Sequence, residues 1–105
     1  MSLPNFLVVR IGISEVVVSI SCAQLITGEL AGLREEVTGL EKAGITDFVF
    51  DLLWVGLVDS AALGLLRSLY DRVVIHGGSV TLINSNEDLR AYFELTGVDK
   101  FLVIQ

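Results

Sequence analysis

Asp51, Asp59 and Ser60 are the residues of this chain best suited to chemistry: two acids eight positions apart, the second followed directly by a hydroxyl. Catalysis is the first use to weigh. A nucleophilic serine needs a base within hydrogen-bond reach. The single histidine, His76, lies sixteen positions beyond Ser60 on the same apolar-periodic segment, roughly 24 Å along a helix rising 1.5 Å per residue. An aspartyl phosphate on Asp51 would need further acids for Mg²⁺ and usually a nearby lysine. The first apolar run ends at Ile11-Gly12 without an acid pair, and the pattern brings neither Lys42 nor Lys100 to Asp51. No enzymatic activity and no catalytic residue are therefore expected. The bland use of Asp59-Ser60 is structural, because Asp or Ser before a helix accepts a hydrogen bond from a first-turn N–H that otherwise has no partner. Local chemistry favours that cap and leaves a working site open.

Other candidate groups point the same way. Gly77-Gly78 follows a helical period and reads as a helix end, not as a loop cradling phosphate. His76 complements the dipole at that end. Cys22, the single cysteine, excludes an internal disulfide and a multi-cysteine zinc site, and reads as a small core hydrophobe. No metal or cofactor is expected. Thirteen acids against seven bases give a net charge of −6, which argues against nucleic acid as a partner. The chain is 52% hydrophobic, yet no apolar run approaches the roughly 18 residues of a membrane span. With no signal-peptide pattern at its start, it is expected to be a cytoplasmic protein without direct membrane insertion, forming one domain over residues 1–105.

The elements that must position these residues follow from periodicity. Phe6 to Ile11 and Val16 to Ile20 are β-branched runs separated by four residues, a hairpin signal. Ile26, Leu30, Leu33, Val37 and Leu40 recur at helical spacing, with Thr27 a candidate cap and Gly44 a candidate end. Thr46 to Asp51 suits a buried parallel strand. Ala62, Leu65, Leu66, Leu69 and Val73 mark a second helix from Ser60 to about His76, and Ser79 to Ile83 a further strand. Ser85, with Asp88 three residues on, signals a third helix lined by Leu89, Phe93 and Thr96 and closed by Gly97. Phe101 to Ile104 completes the series. The expected class is α/β in the order ββαβαβαβ, a mixed β-sheet with helices packed mainly on one face.

The segment from Phe48 to Phe101 resembles the STAS domain, the fold of the anti-sigma factor antagonists. The resemblance rests on a hydrophobic strand ending in Asp51, on Asp59-Ser60 at the family's spacing, on Leu63-Gly64 in the following helix, on Gly77-Gly78 before a strand, and on the ending "ELTGVDKF". The first forty-five residues agree only in element order. The resemblance implies that Ser60 is a phosphorylation acceptor with Asp59 its motif neighbour. It implies two partners, an anti-sigma factor that is itself a serine kinase and a PP2C-type phosphatase that resets the serine. Function would then be regulation of transcription by partner switching. The chemistry is compatible, since a phosphate adds roughly −1.5 to −2 charge at a helix start, where the dipole tolerates it but a packed partner would not.

The sequence departs from the family at particular places. Where the family commonly has Asp-Ser-Ser/Thr-Gly-Leu-Gly, this chain has Asp59-Ser60-Ala61-Ala62-Leu63-Gly64. Ala61 removes a second hydroxyl, and Ala62 replaces a glycine that would let a partner backbone approach closely. Leu53 and Trp54 occupy loop positions that are often small or polar, and are either core residues or partner anchors. The expected partner-binding set is thus Leu53, Trp54, Asp59, Ser60, Ala61 and Ala62. The alternative is a non-phosphorylated STAS scaffold or regulatory subunit, in a stress-signalling assembly or beside a lipid-transport ATPase, with Ser60 only a cap. A small-molecule or nucleotide sensor is a third reading.

Overall fold

The computed structural model describes residues 5–105. Strands β1 (Phe6–Arg10) and β2 (Glu15–Ile20) form the expected antiparallel hairpin. A two-residue strand β3 (Gln24–Leu25) and a 3₁₀ turn (Thr27–Glu29) lead into helix α1 (Leu30–Lys42). Then come β4 (Asp47–Asp51), a second two-residue strand β5 (Leu57–Val58), α2 (Ser60–Val73), β6 (Ser79–Ile83), α3 (Glu87–Thr96) and β7 (Val103–Ile104). The main sheet runs β1-β2-β4-β6-β7, with β4 parallel to β2 and β6, and β7 parallel to β6. The fold is the expected STAS-type α/β arrangement, with β3 and β5 added as a small parallel pair.

Topology decides where the helices go. The connections β2–α1–β4, β4–α2–β6 and β6–α3–β7 all step the same way along the sheet. Right-handed crossovers stepping one way place all three helices on one face. Alternation in the strands agrees. Val16, Val18, Ile20, Phe48, Phe50, Val80 and Leu82 are buried, and their neighbours along each strand are not. Phe48 and Phe50 lie nearly parallel at 6.3 Å, facing Leu33 and Val37 of α1, Leu66 and Leu69 of α2 and Phe93 of α3 in one core. Arg72 of α2 donates a forked pair of bonds to Glu41 of α1, tying the two helices at their exposed sides.

Several boundaries differ from the sequence reading. The second helix, expected to about His76, ends at Val73 and gives way to a 3₁₀ turn over Val74–His76. α1 begins at Leu30 after Glu29, and no side chain caps its first turn; Thr27 opens the preceding 3₁₀ turn and bonds to Asp59. Asn86, not Ser85, caps α3 by accepting from the Leu89 N–H at 2.8 Å, while the Ser85 hydroxyl is buried without a partner among the described residues. The last strand is confined to Val103–Ile104 because Val98–Lys100 coils as a 3₁₀ turn. Thr96, expected on the apolar lining of α3, is exposed and its hydroxyl donates back to the Tyr92 and Phe93 carbonyls. Gly77 adopts the left-handed conformation at φ 76°, as its helix-ending role requires. A Cβ on Gly78 would collide with the carbonyl oxygens of Thr46 and Val73, so this position admits only glycine without rearrangement.

Candidate functional site

The parallel strands of the main sheet send their C-terminal ends, and the loops after them, to one edge of the molecule. Asp51 ends β4 there, and its Oδ1 accepts from the Leu53 N–H at 3.0 Å and from Asn84 Nδ2 at 3.1 Å. Asn84 follows β6 at φ 60°, a left-handed backbone that asparagine tolerates better than most residues. Asp51 therefore joins the loops after β4 and β6. The backbone adds a second tie, since the Leu52 N–H donates to the Ile83 carbonyl at 2.9 Å.

The loop from 52 to 58 is pinned on its other side by the β3 region. Gly56 and Leu57 donate to the Ala23 carbonyl, and Asp59 N–H to the Leu25 carbonyl. Leu52, Val55 and Val58 point into the core, acting as three apolar anchors. Between them the loop holds out Leu53, Trp54 and Leu57, with Trp54 71% exposed. The sequence left Leu53 and Trp54 open between core and surface, and the structure puts both at the surface.

Asp59 is the knot of this region. Its Oδ1 accepts from the Ala62 N–H at 2.9 Å and so caps α2. Its Oδ2 accepts from both the Thr27 N–H and the Thr27 hydroxyl, each at 2.9 Å. Hydrogen bonds from the Ala62 N–H and then the Thr27 N–H hold the Asp59 carboxyl below the usual carboxylate range. Ser60 is the first residue of α2 and is exposed, and its hydroxyl makes no hydrogen bond with the described residues. The cap is thus Asp59, and Ser60 is free of that duty.

Beside Ser60 lies an open depression of about 470 Å³, floored by Leu57, Val58, Leu89 and Tyr92 and edged by Asp59 and Asp88. No lysine or arginine lines it. A doubly charged group on Ser60 would therefore meet the α2 N-terminus but no cationic side chain of this depression. Ala61 is half-buried against the core. Ala62 is 1% exposed, so its Cβ lies in the core while its N–H donates to Asp59. His76 sits in the 3₁₀ turn past the far end of α2, so the structure does not bring it to Ser60. Burial pushes the Cys22 thiol up from its ordinary value, away from the reactive thiolate. Among the described residues, no group of three or more His, Cys, Asp or Glu side chains could hold a metal ion. Sequence reasoning missed Thr27, Asn84 and Asn86 as organisers of this edge.

A mixed sheet covered on one face by three helices, with an exposed serine following the capping Asp59 where loops converge, defines the α/β class. The chain belongs to the STAS domain family, whose profile matches residues 8–105. It is similar in fold to the Bacillus cell fate determinant SpoIIAA in its phosphorylated form (16% identity over 95% of this chain and 90% of that one, TM-score 0.74). An anti-sigma factor antagonist from Mycobacterium paratuberculosis is also similar, at 23% identity over 99% of this chain and 89% of that one, TM-score 0.76. So is a STAS domain protein from Planctomyces limnophilus, at 15% identity, 99% and 91% coverage, and TM-score 0.84. No curated protein sequence matches the chain. No helix among the described residues is long and apolar enough to cross a membrane.

Proposed function

We propose that residues 1–105 work as a single, non-enzymatic STAS domain in the cytoplasm, as an anti-sigma factor antagonist-like module in partner switching that regulates transcription. The partner would be an anti-sigma factor with serine-kinase activity, docking over Leu53, Trp54 and Ser60. Phosphorylation of Ser60 would end that docking, and a PP2C-type phosphatase would restore it. The observation that carries this reading is the division of labour at the start of α2. Asp59 holds the cap, and the Ser60 hydroxyl stands exposed beside it. A phosphate there need not break the cap, and the dipole of α2 favours its charge. A partner packed over Trp54 and the apolar depression would have to desolvate that charge, and would be released.

Constitutive scaffolding by the same surface is the second reading. Trp54 at the tip of a pinned loop supports it, because such an aromatic is a binding anchor whether or not Ser60 is modified. One experiment separates the two. The chain is recovered from its native cells with its bound partner, Ser60 is mapped for phosphate, and Ser60→Asp and Trp54→Ala are compared. Switching requires phosphate on Ser60, loss of the partner with either substitution, and an unchanged fold. A partner that tolerates Ser60→Asp and is lost only with Trp54→Ala overturns switching in favour of the scaffold.

A further inference from the structure

On the sheet face away from the helices, one row of outward positions is apolar but for a threonine, where a solvated face would carry polar residues. Strand register places Val9, Val17, Val49, Thr81 and Val103 side by side in one row across all five strands. In the next row, Leu7 and Ile83 stand at either side of Ser19 and Asp51. Val9 and Val103 at the two edges remain 48% and 45% exposed. One-way crossovers leave none of the three helices to cover this row. At about 4.8 Å between strands it is roughly 19 Å across, the length of about 13 helical residues.

The positions that border the row along the strands carry one sign of charge, and charges of both signs (Arg90, Glu94, Asp99, Lys100) stand beside its Val103 end. Glu15 and Asp47 are neighbours in the register on one side of the row, and Asp51 stands on the other. No outward position of the five strands is lysine or arginine. Arg10 is at an inward register position and donates to the Ile13 carbonyl at the hairpin tip. Stacking a second copy on this face would bring acidic borders together, which Coulomb repulsion disfavours. An amphipathic helix with an apolar stripe and basic flanks matches both the row and its borders. We propose that the open sheet face is a second docking surface, distinct from the Ser60 edge, for a basic-flanked amphipathic helix of another protein.

The test uses the intact chain and a synthetic 14-residue helical peptide, leucine along one face and lysine on both flanks. A second peptide has glutamate in place of each lysine. The lysine peptide should shift the NMR amide signals around Val17 and Val49, and added salt should weaken it. Val9→Glu, on an exposed edge strand that accepts a charge, should weaken it by about tenfold or more. Ser60→Asp and Trp54→Ala should leave it unchanged, so this result is independent of the switch. Equal binding of the glutamate peptide overturns the proposal. So do shifts confined to α1 or the Trp54 loop, or an affinity indifferent to Val9→Glu in a variant whose remaining spectrum is native. A chain that sediments as a dimer and is split by Val9→Glu makes a second copy the occupant, and the proposal is then wrong.

Discussion

The starts of α2 and α3 lie at the same end of the sheet, and both are capped by a side chain accepting from the N–H three residues on. There the likeness ends. Asn86 serves its own helix and reaches the Val55 carbonyl only at 3.5 Å. Asp59 accepts from α2 with one oxygen and from Thr27, thirty-two residues earlier in the chain, with the other. The α3 cap is a local device. The α2 cap is also the joint between the loop that carries Trp54 and the β3 region that braces it. A carboxylate is suited to the second task, because both its oxygens accept and no donor faces the wrong way. The backbone around the exposed Ser60 is therefore fixed from two sides.

The largest expected effect breaks the joint. Asp59→Ala removes three hydrogen bonds and frees the Thr27 and Ala62 N–H groups, so its loss of stability should be roughly twice that of Asn86→Ala. Thermal unfolding of the two variants measures the ratio. Hydrogen exchange should quicken at Gly56, Leu57 and Asp59 in the first variant and stay local to α3 in the second. Equal losses would mean that the Thr27 contacts add nothing.

Acid separates the caps, because only one of them titrates. The Asp59 carboxyl is held low by its N–H donors, so its contribution is complete above the unfolded carboxylate range near pH 4. It is lost as pH falls through the lower folded value. Asp59→Asn should therefore be less stable than the parent at pH 7, and the gap should narrow below about pH 4. An amide in that place also turns a donor toward the Thr27 N–H if its oxygen keeps the Ala62 bond. Asn86 does not titrate, so Asn86→Ala should cost about 1 kcal/mol through the same range. Denaturant midpoints across pH check both statements.

These contrasts also mark what the sequence could show. Ser60 to Val73 was legible because six buried side chains repeat at helical spacing, and the alternation in β2, β4 and β6 was equally plain. The STAS family was legible from the resemblance of the segment Phe48 to Phe101. Thr27 was not, because its partner is distant in the chain and its type fits an ordinary helix cap just as well. β3 and β5 are two residues each, too short for any period to register. The α3 cap fell one position off in "NSN", where each residue is a plausible cap. The bend at Asn84 puts Ser85 in the core and leaves Asn86 to accept the bond. Motif position also says nothing of which side of a helix faces the core, so the burial of Ala62 was not legible from it.

The smallest expected effect is the sharpest on function. Had Ser60 been the cap, Ser60→Ala would cost about 1 kcal/mol. Its hydroxyl is exposed and makes no hydrogen bond with the described residues, while the neighbouring Asp59 holds the cap. Alanine is also the better helix former. Ser60→Ala should therefore change stability by less than about 0.5 kcal/mol, in either direction, as exposed substitutions away from such features do. Chemical denaturation of the two proteins decides it. A loss near that of Asn86→Ala would return the serine to a structural role and remove the physical basis for reading it as a free acceptor. A negligible change leaves a hydroxyl that the fold does not need, exposed at the start of α2.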